Sequence, residues 1–306
     1  MLSANKKVRK AIITDAGFAS RYLPITKTVP KAMLPLGNRP IMQIVIEECV
    51  EAGIEEIIIV ATPEGKPIYE DYFNNNVNRI RKQLSAQGKE DRYASVQEVL
   101  DFPKIIVITQ DPSLPYGNGS PIASARAFVE GEEAFLALYS DDVVFGKPGS
   151  AKTLVDAYEQ SPDAGAIIAV QEIPKKYLNK YGVVSLKDGE YKDGEENILV
   201  DIVEKPEVED APTNLASYGR YLLSSEIFKY LEPKNTGKDG ELWTVDAIGR
   251  LDKEGGKKVL VVKNSAEWMT TGDPENYFKA HLKYVLDYED YGPKVVEWLQ
   301  ELTDKS

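Results

Sequence analysis

The sequence contains one cysteine, Cys49, and one histidine, His281. A lone cysteine excludes an internal disulfide and any multi-cysteine metal site. Cys49 lies in a helical apolar pattern and is expected as a small buried side chain. A lone histidine argues against a histidine triad or a multi-histidine metal centre. His281 falls in a late helical pattern, where a packing or surface role is expected. Chemistry in this chain therefore has to come from carboxylates, cations and a metal ion. Positive charge is also in short supply. Lys and Arg number 37 against 49 Asp and Glu, a net charge of −12, which argues against binding a nucleic-acid backbone. A nucleotide ligand stays open, because a few placed cations can hold phosphates inside an acidic protein. No apolar run reaches the ~18 residues that a membrane span requires. The opening residues, Met1 to Lys7, have no apolar signal core behind them, so a cytoplasmic location is expected. Internal repeats and low-complexity linkers are absent.

What is present reads as an α/β protein. The 306 residues are 42% hydrophobic, enough for one large core or two modest ones. Apolar runs at Lys10 to Thr14, Glu56 to Ala61, Lys104 to Thr109 and Ala134 to Leu138 predict strands. Between them, helices are expected over Ile41 to Glu51, Asp71 to Gln87 and Pro121 to Glu130. In the first of these Ile41, Ile44, Val45, Cys49 and Val50 cluster, and Gly53 is placed to stop the helix. Strands that are apolar throughout, alternating with helices, imply a mostly parallel sheet covered on both faces. The second half is more mixed, with strands expected over Ala164 to Gln171, Val183 to Val203 around polar turns, and Leu215 to Leu223. A stripe of Tyr277, Phe278, Leu282, Val285 and Tyr288 has helical spacing and suits either core packing or an oligomer contact.

A turn after the first strand of such a sheet is where ligands commonly bind. Here it is Asp15-Ala16-Gly17-Phe18-Ala19-Ser20-Arg21. Gly17 is its one glycine, so neither the dinucleotide fingerprint nor the P-loop pattern is present, and a nicotinamide-dependent dehydrogenase is disfavoured. The continuation, Tyr22 to Pro35, sets Lys27 and Lys31 among prolines of fixed φ, a stiff way to present cations. This stretch resembles the sugar-1-phosphate nucleotidyltransferase family, which carries A-G-x-G-T-R, then L-P-x-T, then P-K-x-M-L-P. Lys27 matches the uridylyltransferase branch. Further segments match in order: Gln110 with Gly117-Asn118-Gly119, Tyr139-Ser140-Asp141-Asp142, Tyr181-Gly182-Val183-Val184, Glu204-Lys205-Pro206, Glu241 to Ile248, and Trp268 to Pro274.

The resemblance implies a single Rossmann-like nucleotidyltransferase domain. Its mixed, mostly parallel sheet would have helices on both faces and a C-terminal helical segment. A nucleotide-binding half would span about 1–145, a sugar-binding half about 146–265 and C-terminal helices 266–306. It implies uridylyl transfer from UTP to glucose 1-phosphate, with thymidylyl transfer as the nearest competitor, and a dimer or tetramer. Arg21, Lys31, Asp141 and Lys205 would be catalytic. Ala16, Gly17, Ser20, Gln110 and Gly117 would contact the nucleotide. Asp142, Gly182, Glu204 and Lys205 would contact the sugar phosphate, and Asp141 would hold Mg²⁺. Three residues depart from the family on the nucleotide and metal side. Ala19 replaces a glycine, Thr270 replaces the aspartate that gives the metal its second carboxylate, and Asp15 replaces a small neutral residue where a carboxylate would repel a triphosphate. Trp243 also replaces a glutamine. These departures raise a second expectation: a weakened or non-catalytic homologue that still binds a sugar phosphate or nucleotide sugar.

Overall fold

The computed structural model describes residues 7–75 and 77–304. Met1 to Lys6, most of the stretch in which no signal segment was expected, lies outside them. The apolar runs of the first half form strands β1 (Lys10–Asp15), β2 (Glu56–Ala61), β3 (Lys104–Thr109) and β4 (Ala134–Tyr139), all mutually parallel. The second half adds β5 (Asp142–Phe145), β6 (Ala166–Glu172), β7 (Gly182–Leu186), β8 (Asn197–Glu204), β9 (Leu215–Ser224), β10 (Val259–Lys263) and β11 (Glu267–Thr270). Nine strands make one sheet in the order β3-β2-β1-β4-β9-β6-β10-β8-β7. Beyond β4 the pairing is antiparallel except for β6 with β10. For β7 and β8 the short polar stretch 187–196 lets the chain fold back directly, without the helical crossover that parallel neighbours need. Strands β5 and β11 form a separate antiparallel ribbon that pairs Thr270 with Asp142.

The helices are α1 (Ile41–Glu51), α2 (Lys66–Asn74), α3 (Asn78–Ala86), α4 (Ala94–Leu100), α5 (Gly119–Ser124), α6 (Ser150–Gln160), α7 (Thr244–Lys253), α8 (Pro274–Tyr288) and α9 (Gly292–Asp304). Successive strand residues feed opposite cores, as a period of two requires. Ile13, Ile57 and Leu136 join one apolar cluster with α1 and α6, while Ile12, Ile58 and Phe135 join a second with α5 and α7. Both sheet faces are thus covered, which is why the middles of these strands are apolar. Among the described residues no helix is long and apolar enough to cross a membrane.

Three helical expectations need correction. The helix expected over 71–87 is two, α2 and α3, because the asparagine-rich stretch at 74–78 interrupts it. Asn75 is extended, and asparagine is a poor helix interior because its side chain competes for backbone hydrogen bonds in other conformations. The helix expected over 121–130 is α5 followed by a 3₁₀ turn at Arg126–Phe128. In α5 the Ser124 hydroxyl bonds back to Ser120 O at 2.8 Å, a bond that bends helices. Val50 faces solvent, while Cys49 on the same helix is fully buried as expected. The stripe on α8 divides: Val285 is buried, and Phe278 and Tyr288 are exposed. His281 packs Nδ1 against Pro35 O at 2.8 Å.

Candidate active site

The carboxyl ends of β1 to β4 all open into one cavity of about 1350 Å³, lined at those ends by Asp15, Ala61, Thr109 and Tyr139. That exceeds the ~1,000 Å³ upper range of ordinary small-molecule pockets and suits a ligand of two parts. Asp15 to Ala19, Gln110 and Gly117 line one side, and Gly182, Glu204 and Lys205 line the other. Asp141 and Lys31 also line it. Ala16 and Gly17 sit at the mouth, with open space where a Gly17 side chain would be. Phe18 projects beside them, 79% exposed. Ser20 and Lys27 are exposed on the short 3₁₀ turns that follow and do not line the cavity.

Lys31 and Asp141 form the central ion pair. Lys31 Nζ lies 2.7 Å from Asp141 Oδ2. Burial works against both charges. For Lys31 the charges of Asp141 and Asp15 outweigh it and hold the ammonium above its ordinary range. Lys31 in turn holds the Asp141 carboxyl below the usual carboxylate range. The backbone around Asp141 is pinned from the C-terminal side: Thr271 N–H and Oγ1 both donate to Asp141 O, at 2.6 and 3.0 Å. Thr270 takes up the neighbouring position, its Oγ1 accepting from Gly272 N–H at 3.1 Å. Arg21 crosses from the loop to donate to Gly272 O at 3.3 Å.

Asp15 lines the cavity, but as a partnered carboxylate and not as a bare charge. It accepts from the Ser140 hydroxyl at 2.7 Å and from the Tyr69 phenol. Burial pushes its carboxyl up, opposed mainly by the Lys31 charge. Ala19 has φ 44° and ψ 43°, the left-handed region that favours glycine. The strain expected of that replacement is therefore present. Asp273, the nearest other carboxylate in sequence, caps α8 through Asn276 N–H and Nδ2 at 3.0 and 2.6 Å. Among the described residues no group of three or more His, Cys, Asp or Glu side chains is placed to hold a metal ion.

Asp142 is turned into the protein. Its Oδ2 accepts from Gly219 N–H at 3.0 Å and its Oδ1 from Trp268 Nε1–H at 2.7 Å. Burial, then the adjacent Asp141 charge, push its carboxyl up to about 6. Both oxygens thus accept bonds from the protein, and Asp142 also lines the cavity, where each oxygen keeps capacity for a further donor such as a sugar hydroxyl. Beneath it lies Arg220, 0% exposed. Its guanidinium pairs with Glu48 of α1 at 2.9 Å and donates to the carbonyls of Tyr139 and Asp142 at 3.0 and 2.6 Å. Sequence reading passed over Arg220, although an arginine inside the apolar run of β9 was the available signal. It also passed over Tyr69 and Trp268.

On the far side Gly182 is required by close packing: a side-chain carbon there would stand 2.8 Å from Ser217 Oγ and 3.3 Å from Glu204 Oε2. Burial pushes the Glu204 carboxyl up, opposed by Lys205. Lys205 Nζ lies 3.5 Å from Glu204 Oε1 and 4.4 Å from the centre of the Trp243 ring. Gly117 and Gly119 serve the wall between the two sides. Gly119 N–H donates to Leu242 O at 2.8 Å, and Leu242 N–H donates to Tyr116 O at 2.7 Å. A side chain on Gly117 would stand 2.4 Å from Leu242 O. Gln110 lines the cavity, its backbone continuing the β2–β3 pairing through Ala61 O.

A loop at the carboxyl end of β1 that presents cations, a carboxylate turn after β4, and a second polar wall opposite together define a site for transfer between phosphorylated partners. The sequence matches the family described as nucleotidyl transferase over residues 10–286, and the chain belongs to that family. Among its relatives are the UTP–glucose-1-phosphate uridylyltransferases of Staphylococcus haemolyticus (strain JCSC1435) and Bacillus subtilis (strain 168). Each is 35% identical, covering 97% and 98% of this chain and 99% of the relative. Among solved structures, a UTP-bound UGPase from Acinetobacter baumannii superposes with a TM-score of 0.84 at 30% identity, over 96% of this chain and 99% of that one. A UDP-glucose pyrophosphorylase complexed with UDP-glucose gives a TM-score of 0.77 at 31% identity, over 90% of this chain and 98% of that one.

Proposed function

We propose that this chain transfers the uridylyl group of UTP to glucose 1-phosphate, releasing pyrophosphate. The observation that carries the reading is the Lys31–Asp141 pair lining a cavity with a nucleotide loop on one side and Glu204–Lys205 on the other. Near-full-length identity to uridylyltransferases supports uridine over thymidine. A phosphate oxygen of glucose 1-phosphate attacks the α-phosphorus of UTP in line, and the bond to pyrophosphate breaks. The attacking oxygen is already anionic near neutral pH, so no general base is needed, which fits a chain with one histidine. Catalysis then consists of positioning and charge neutralisation. Lys31 and Arg21 neutralise the nucleotide phosphates, Lys205 binds the sugar phosphate and Glu204 accepts from sugar hydroxyls.

A divalent cation fits the residues present on limited terms. Asp141 offers a charged carboxylate to the cavity, and Mg²⁺ is commonly held by one or two carboxylates, substrate phosphates and water. Asp141 would hold it, Thr270 would offer a hydroxyl, and the ion would supply further neutralisation of phosphate charge. Thr270 and the strained Ala19 favour a second reading, a homologue with weak or no turnover that binds a sugar phosphate or nucleotide sugar. One assay separates the two. With Mg²⁺, UTP and glucose 1-phosphate, the first predicts pyrophosphate release that is abolished by EDTA and by Lys31→Met. Absence of release across several nucleotides and sugar phosphates would leave the second.

The cytoplasm and a homo-oligomeric state belong to the same proposal. Exposed Phe278, Tyr288 and Trp298 on the last two helices are what an oligomer contact would use.

A further inference from the structure

Lys205 and Trp243 meet from separate elements. Lys205 follows the end of β8, and its backbone has φ 46°, a region that costs a residue with a side chain and persists where the surroundings enforce it. Here the enforcement is visible. Lys205 N–H donates to Tyr181 O at 3.1 Å, which ties the turn to the start of β7. The left-handed turn throws the side chain out of the sheet and across the cavity. Trp243 stands at the first residue before α7, in an extended conformation that presents its ring to the same cavity. The ammonium is 4.4 Å from the ring centre, inside the ~6 Å reach of cation–π attraction. The Lys205 side chain is 46% exposed and lines the cavity, which leaves it open to a ligand there.

We propose that Trp243 is a positioning residue for the sugar-phosphate subsite, its ring face holding Lys205 over that subsite before the ligand arrives. The inference rests on the reading that Lys205 binds the sugar phosphate. An ammonium has three donors. Seated on a ring it can still donate outward, so ring and phosphate are held together instead of in competition. Without the ring the flexible stem has to be ordered by the ligand itself, with the 3.5 Å pair to Glu204 Oε1 as its remaining restraint among the contacts described. Pre-ordering one rotamer-rich side chain and keeping one cation–π contact correspond to about tenfold in affinity.

The experiment is a double-mutant cycle on glucose 1-phosphate binding by calorimetry, with Lys205→Ala, Trp243→Leu, their combination, and Trp243→Phe. Trp243→Leu is expected to weaken binding about tenfold, Trp243→Phe to restore part of the loss, and the double variant to bind no worse than Lys205→Ala. UTP affinity is expected unchanged in all four, which also shows that they fold. With ¹³C-labelled lysine, the Lys205 ε-methylene signal, identified by its loss in Lys205→Ala, is expected upfield from the ring current and normal in Trp243→Leu. Full additivity of the two single losses, or a Lys205 signal that ignores Trp243→Leu, overturns the role of Trp243. Lys205→Ala binding as well as the wild type overturns the sugar-phosphate reading, and the inference with it.

Discussion

Replacing Glu48 by Ala is expected to damage a site that Glu48 never touches. Arg220 is fully buried, and three of its hydrogen bonds go to the two Glu48 oxygens, at 2.9 to 3.2 Å. Removing that carboxylate leaves a buried guanidinium without a counter-charge, a change worth about 3–5 kcal/mol. It also strips the acceptor for Ala151 N–H, bonded to Glu48 Oε1 at 2.9 Å at the start of α6. An unfolding entropy of about 2 cal/mol/K per residue puts the fall in Tm at about 5–8 °C for a chain of this length. The same guanidinium holds the carbonyls of Tyr139 and Asp142, on either side of Asp141. Releasing it lets the carboxylate turn shift, and a displacement near 1 Å can cost about a hundredfold in rate. Glu48→Gln, which keeps one acceptor and loses the charge, should fall between. The assay pairs differential scanning calorimetry with initial rates of pyrophosphate release. A Glu48→Ala protein that melts within about 1 °C of the wild type and keeps its rate would refute the reasoning.

Two further outcomes follow from backbone strain and buried charge. Ala19→Gly relieves a left-handed alanine, at φ 44°, whose cost is about 1–2 kcal/mol, less the entropy glycine adds to the unfolded chain. A net gain of about 0.5–1 kcal/mol in urea unfolding is expected, and a loss would mean that packing of the methyl against the core dominates. Asp142 has its folded carboxyl raised to about 6 from an ordinary 3.8, so its contribution to stability is present below about pH 4 and is lost as pH rises through about 6. Urea unfolding of the wild type relative to Asp142→Asn should therefore fall by about 3 kcal/mol in total, about 2 kcal/mol of it between pH 4 and pH 6, and level off above about pH 7.

Much of this was legible in the sequence, and the exceptions have a common cause. Strands β1 to β4 announced themselves because both faces of the sheet are covered there and their middles are unbroken apolar runs. Lys31, Asp141, Glu204 and Lys205 were recognisable from short motifs, and the cavity gathers them. What could not be read was direction and partnership. Asp15 looked like a charge aimed at phosphates until Tyr69, 54 residues away in sequence, and Ser140, 125 away, were seen to bond it. Asp142 shows the same long-range partnership, its two oxygens bonded by Gly219 and Trp268 while the residue still lines the cavity. Helix breaks at 74–78 and 124 turned on side chains that compete for nearby backbone hydrogen bonds, which a periodicity cannot register.

The clasp between Tyr116–Gly119 and Leu242 has a consequence for modularity. It is made of main-chain bonds, reinforced by Thr244 N–H donating to Asn118 Oδ1 at 2.8 Å. A fragment ending near residue 149 would keep the nucleotide loop yet strand the donors and acceptors of that wall. It would also bare the hydrogen-bonding edge of β4, which β9 covers in the whole chain. Such an edge invites pairing with other chains. The N-terminal and C-terminal parts of the chain are thus interleaved rather than appended, and exchanging the C-terminal part for another protein's would need a graft that carries both the β9 edge and a backbone equivalent of Leu242.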